Sequence, residues 1–145
     1  MYEDAVQINP YHLRVLNDLA TAYEKTGERE KAVRMYQRAL MAAPFFTETL
    51  LNLSATYFNA GEIDSALTVI NCVQLIKISY RDKQNYELFL NAILIRKAEA
   101  LLKPFYDQES IKKILLTRSV KNDLIEIYNK ADRNENVFLG YIQAK

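Results

Sequence analysis

The sequence is short of nearly everything that reactive sites are built from. Its 145 residues include one cysteine, one histidine and no tryptophan. A single cysteine excludes an internal disulfide, although it does not fix the compartment, cytoplasmic or periplasmic. One histidine and one cysteine cannot furnish the three or four ligands of a zinc site. His12 and Cys72 could form a nucleophile and base only if they met. Their positions, one before a first helix and the other on a second helix of the next unit, give no reason for that. No phosphate-cradling glycine loop and no nucleophile-elbow string occurs. The expectation is no catalysis, no cofactor and no metal.

Charge of one sign is also missing. Lys and Arg total 19 against 18 Asp and Glu, a net +1, with no dense basic patch. That argues against a nucleic-acid partner. The longest apolar run, Leu88 to Ile95, is interrupted by Asn91 and closed by Arg96 and Lys97. It falls far short of the about 20 residues that span a bilayer, so no membrane insertion of this segment is expected. Met1-Tyr2-Glu3-Asp4 is polar and acidic, unlike a secretory leader. Only three glycines and three prolines leave little room for β-turns or long loops. With half of the residues hydrophobic, an all-α domain follows.

What is present is a pattern written twice. Leu16, Leu19, Tyr23, Gly27, Glu28 and Ala32 recur as Leu50, Leu53, Tyr57, Gly61, Glu62 and Ala66, each 34 residues on. Leu16, Leu19, Ala20 and Tyr23 make one helical stripe, and Leu50, Leu53, Ser54 and Tyr57 copy it. Gly27 and Gly61 follow the last periodic residue, where a helix ends in the left-handed conformation. Glutamate then opens the next helix, where the dipole favours negative charge. That helix buries Ala32, Tyr36, Ala39 and Leu40, echoed by Ala66, Ile70 and Val73. The small alanine lets two helices approach closely. A fixed period of this size marks a solenoid of stacked helical hairpins.

The strings Leu16-x2-Leu19-Ala20-x2-Tyr23, Ala32-x3-Tyr36 and Pro44 resemble the tetratricopeptide repeat family. The second copy, Leu50-x2-Leu53-Ser54-x2-Tyr57 and Ala66-x3-Ile70, is looser and has Ile78 in place of the closing proline. The resemblance covers about half of the chain. It implies a solenoid of antiparallel helical hairpins with a divergent C-terminal helical cap, acting as a protein–protein interaction module or scaffold.

In order, residues 1–10 read as a half repeat, 13–46 and 47–80 as repeats, and 81–145 as a degenerate repeat with capping helices. Tyr2, Ala5 and Pro10 match Tyr36, Ala39 and Pro44 at the same offset, which suggests a fragment cut from a longer protein. Helices are expected at about 2–9, 12–25, 29–43, 46–59 and 63–78. A polar junction over 80–84 then precedes a long helix at about 83–103, ended by Pro104. Asp107 or Ser110 should cap a helix carrying Ile111, Ile114 and Leu115. Another is expected over about 119–132, and Asn134 should cap the last.

In the resembled family the first helix of each hairpin lines a concave groove for a protein or peptide partner. That implies Arg14, Asn17, Thr21 and Glu24 in the first repeat, and Glu48, Leu51, Asn52, Ala55 and Phe58 in the second. Asn17 and Thr21 stand where a carboxylate clamp needs lysine and asparagine, so a chaperone-tail clamp is not expected. Leu51, Ala55 and Phe58 are apolar, and burying the Leu and the Phe is worth about 2 kcal/mol each. They could dock a partner's helix or extended segment, or the helix at 83–103 could cover them; the second reading is favoured, and it leaves Arg14, Asn17 and Glu24 as the exposed recognition residues. Two further readings stay open. The run from Ile8 to Ala20 is similar to repeat domains appended to bacterial O-antigen ligase or polymerase membrane proteins, which would make this an accessory domain. A self-associating spacer, a homo-oligomer, is the other.

Overall fold

The computed structural model describes residues 12–44, 46–75, 78–120 and 123–143, without the side chains of 74, 75, 117–120 and 123. Among them every regular element is helical. The helix expected at 2–9 lies outside this range. The chain forms two compact units, Met1–Tyr80 and Arg81–Lys145.

The first unit contains α1 (Leu13–Lys25), α2 (Arg29–Ala42), α3 (Thr47–Asn59) and α4 (Ile63–Asn71). α1 packs on α2, α3 on α4, and α2 on α3. The repetition seen in the sequence is repeated in the burial. Leu16, Leu19, Ala20, Ala32, Tyr36 and Ala39 are buried, and so are Leu50, Leu53, Ser54, Ala66, Ile70 and Val73. Leu53 joins Ala20, Ala32 and Tyr36 in one apolar cluster, flanked by both Tyr23 and Tyr57. The core therefore runs from the first hairpin into the second. Where the first hairpin has Ala20, the second has Ser54, whose buried hydroxyl donates to the Ala66 carbonyl at 2.9 Å. The hydroxyl thus keeps the close approach of α3 and α4 and satisfies itself in doing so.

Both hairpins turn by the same bonds. The Glu28 N–H donates to the Tyr23 carbonyl at 2.8 Å and the Gly27 N–H to Glu24 at 3.1 Å. In the second hairpin Glu62 donates to Tyr57 at 2.9 Å and Gly61 to Phe58 at 3.0 Å. These are paired Schellman closures, which need a left-handed residue after the helix. Gly27 and Gly61 supply it with φ of 81° and 82°. The glutamates are the N-caps of α2 and α4, and their side chains make no capping bond. Glu28 instead accepts from Thr26 and Lys31.

The expected helix over 63–78 is shorter. It closes at Asn71 and tightens into one 3-10 turn, Cys72–Leu75. With no glycine or proline to stop it, the helix satisfies its last carbonyls by i to i+3 bonding.

The second unit holds α5 (Tyr80–Leu102), α6 (Gln108–Val120), α7 (Asp123–Lys130) and α8 (Glu135–Gln143). The polar junction expected at 80–84 is the first turn of α5. It follows Ser79, a residue type favoured at N-caps, and places Asp82 near the positive end of the dipole. The helix expected at 119–132 is α7, because α6 extends to Val120. Asp107 caps α6, accepting from the Ser110 N–H at 2.9 Å. Asn134 caps α8, accepting from Asn136 and Val137. Tyr128 meets Phe138 edge to face at 5.4 Å, joining α7 to α8. Lys97, buried on α5, forms an ion pair with Glu135.

The turn geometry gives a test. A methyl group at Gly27 or Gly61 would meet nothing within 4 Å, so the only cost of alanine is the left-handed backbone. Gly27→Ala and Gly61→Ala should each lose about 1–2 kcal/mol in urea denaturation. Unchanged stability in either variant would contradict the shared closure.

Candidate interaction face

α1 and α3 occupy the same position in successive hairpins, and a polar seam joins them. Thr49 donates to the Asn17 side-chain carbonyl at 2.8 Å. One heptad further along both helices, Thr56 donates to Glu24. The spacing of seven is two helical turns, so both pairs lie on one line of contact. Thr49 and Thr56 are buried, as threonine can be when its hydroxyl has a partner.

Glu24 also draws in α2. Its other carboxylate oxygen accepts from the Tyr36 hydroxyl at 3.3 Å. Burial, with the Glu24 carboxylate beside it, pushes the Tyr36 hydroxyl up to about 12, while bonding with Thr21 and Thr56 opposes the shift. Partial burial holds the Glu24 carboxyl above its usual range, against the hydrogen bond from Tyr36. One carboxylate therefore links three helices: its own, the second helix of its hairpin, and the first helix of the next.

This arrangement corrects part of the expectation for the groove. Asn17 is 5 % exposed, so it is a packing residue and not an exposed recognition residue. Its Nδ2 has no partner among the described residues. Glu24 keeps an exposed stem, but both carboxylate oxygens are engaged within the fold. Thr21 is half-buried and donates to the Asn17 backbone carbonyl at 3.0 Å. Arg14 and Glu48 are exposed, and they are equivalent residues, 34 apart. Leu51, Asn52, Ala55 and Phe58 are half-buried. The partners Thr49, Thr56 and Tyr36 went unnoticed in the sequence. The signal for them was there: Thr49 and Thr56 repeat the seven-residue spacing of Asn17 and Glu24.

The turn edge carries a further link, from the Arg29 guanidinium to Glu62 at 2.9 Å. It is exposed at both ends and contributes little on its own. His12 is the N-cap of α1, its Nδ1 accepting from the Val15 N–H at 3.4 Å. Cys72 turns its thiol to the Thr68 carbonyl of its own helix. Among the described residues no cluster of three potential metal ligands occurs, and no helix is long and apolar enough to cross a membrane.

The family profile described as Tetratricopeptide repeat matches residues 1–48, which takes in the first hairpin and the start of α3. Residues 1–48 match the tetratricopeptide repeat family, and the second hairpin repeats the same turn and burial. Repeats of this family mediate protein–protein interaction and are typically scaffolds, not enzymes. A search of curated proteins returns no significant match. The similarity to O-antigen ligase domains gains no support from these comparisons.

Two measurements probe the seam. Thr49→Val strands the buried Asn17 amide and should lose about 1–3 kcal/mol, whereas adding Asn17→Leu should recover much of it. Strictly additive losses would contradict the pairing. The Glu24 shift has a definite sign. A carboxyl raised above 4.5 binds its proton more tightly when folded. Stability is then greatest below the unfolded value and falls as pH rises through the folded one. Glu24→Gln should remove that component from the pH profile, and superimposable profiles would contradict it.

Proposed function

We propose that this tetratricopeptide-repeat chain is a protein–protein recognition module. Its contact face is the set of first helices, α1 and α3. The observation that carries the reading is the pair Arg14 and Glu48. They hold the same position in successive repeats, carry opposite charges, and are both exposed. Adjacent helices pack about 8–10 Å apart. An extended segment covers that distance in about three residues. The partner is therefore a protein segment with an acidic and a basic side chain about three residues apart, acid towards Arg14 and base towards Glu48.

Thr21, Asn52 and Ala55 form the remainder of the proposed surface, with Leu51 and Phe58 beside them. Asn17 and Glu24 support it from within by fixing α3 against α1. Charge complementarity of this kind sets orientation and association rate more than affinity.

A photo-reactive residue at position 14 or 48 should capture a partner, whereas one at Lys112 on α6 should not. Arg14→Ala combined with Glu48→Ala should weaken capture severalfold without changing thermal stability. Equal capture from all three positions, or none from 14 and 48, would contradict the assignment.

A further inference from the structure

The second unit contains a cleft that the proposed recognition face does not use. It has a volume of about 730 Å3 and lies between α5 and α7. From α5 come Gln84, Asn85, Glu87, Leu88 and Asn91, and from α7 come Ile125, Glu126 and Asn129. It is open to solvent, with six of its eight lining residues exposed, so it suits a segment laid along the surface and not an enclosed small molecule.

Its lining has a definite chemistry. Four of the eight residues are primary amides, each able to donate and to accept. That suits a ligand presenting both N–H and C=O, as a peptide backbone does. Both charged lining residues are carboxylates. Glu126 shares its charge with Lys130 one turn away, at 3.0 Å. Leu88 is 72 % exposed and, with half-buried Ile125, adds a small apolar patch. Among the described residues no aromatic side chain lines the cleft, so they offer no stacking platform on which a sugar ring would rest.

Length narrows the ligand further. Gln84 to Asn91 is seven steps along a helix, about 10 Å at 1.5 Å per residue. About three residues of extended chain fill that distance. We propose that the α5–α7 cleft is a second binding site, for a short extended segment of a partner protein that brings one basic side chain to Glu87 and Glu126 and one apolar side chain to Leu88. The amides of Asn91 and Asn129 bond its backbone. The site is independent of Arg14 and Glu48, so the two readings stand or fall separately.

The test uses the full chain and blocked hexapeptides with a leucine and a lysine at alternate central positions. Matched peptides carry glutamate for lysine, and a neutral oligosaccharide serves as the alternative class. Titration followed by heteronuclear NMR should show the lysine peptides bound about tenfold more tightly than the glutamate peptides, with shifts at residues 84–91 and 125–129. Glu87→Gln and Asn129→Ala, both at exposed positions, should each weaken the lysine peptides about tenfold. Arg14→Ala should leave their binding unchanged. Equal affinity for both peptide series, shifts elsewhere, tighter binding of the oligosaccharide, or insensitivity to both cleft variants would overturn the proposal.

Discussion

The side-chain seam between α1 and α3 couples the two hairpins of the first unit. Hairpins of this family cannot bury their apolar face alone, so each depends on its neighbour. Here the dependence has an apolar part and a polar part. Leu53 enters the cluster of Ala20, Ala32 and Tyr36, which supplies the non-directional attraction. Asn17 with Thr49, and Glu24 with Thr56, supply direction. An apolar surface tolerates sliding by one residue, but two hydrogen bonds seven residues apart, one buried and one part-buried, do not. The polar pairs therefore fix the register in which Arg14 and Glu48 come to lie on neighbouring helices.

That division of labour explains why some groove positions cannot serve recognition. A side chain of α1 whose polar atoms are engaged within the fold is not available to a partner. Asn17 and Glu24 spend their polar atoms on α3 and α2, and burial raises the proton affinity of both Glu24 and Tyr36. The equivalent residues of the second hairpin are Leu51 and Phe58, which cannot make such bonds. The polar seam is thus specific to the pairing of the first and second hairpins.

Much of this was legible in the sequence, and for identifiable reasons. Gly27, Gly61, Ala32 and Ala66 meet steric demands that few other residues satisfy, so their spacing exposes the hairpin directly. Asp107 and Asn134 cap helices through local bonds, readable within three residues. What escaped depends on neighbours distant in sequence. Nothing local distinguishes Asn17, buried by Thr49 across the seam, from an exposed asparagine on a groove. Helix ends without glycine or proline were equally opaque. The end of α4 at Asn71 and the extension of α6 to Val120 have no such marker. The cleft between α5 and α7 has no periodic signature, because its amides and carboxylates read as ordinary solvated faces.

Native-state hydrogen exchange addresses the coupling of the two hairpins most directly. If α1 and α3 are locked by the seam, their slowest amides should share one opening free energy and respond together to added denaturant. Amides of α1 that exchange through a separate opening, several kcal/mol below that of α3 and with a smaller denaturant dependence, would contradict the account.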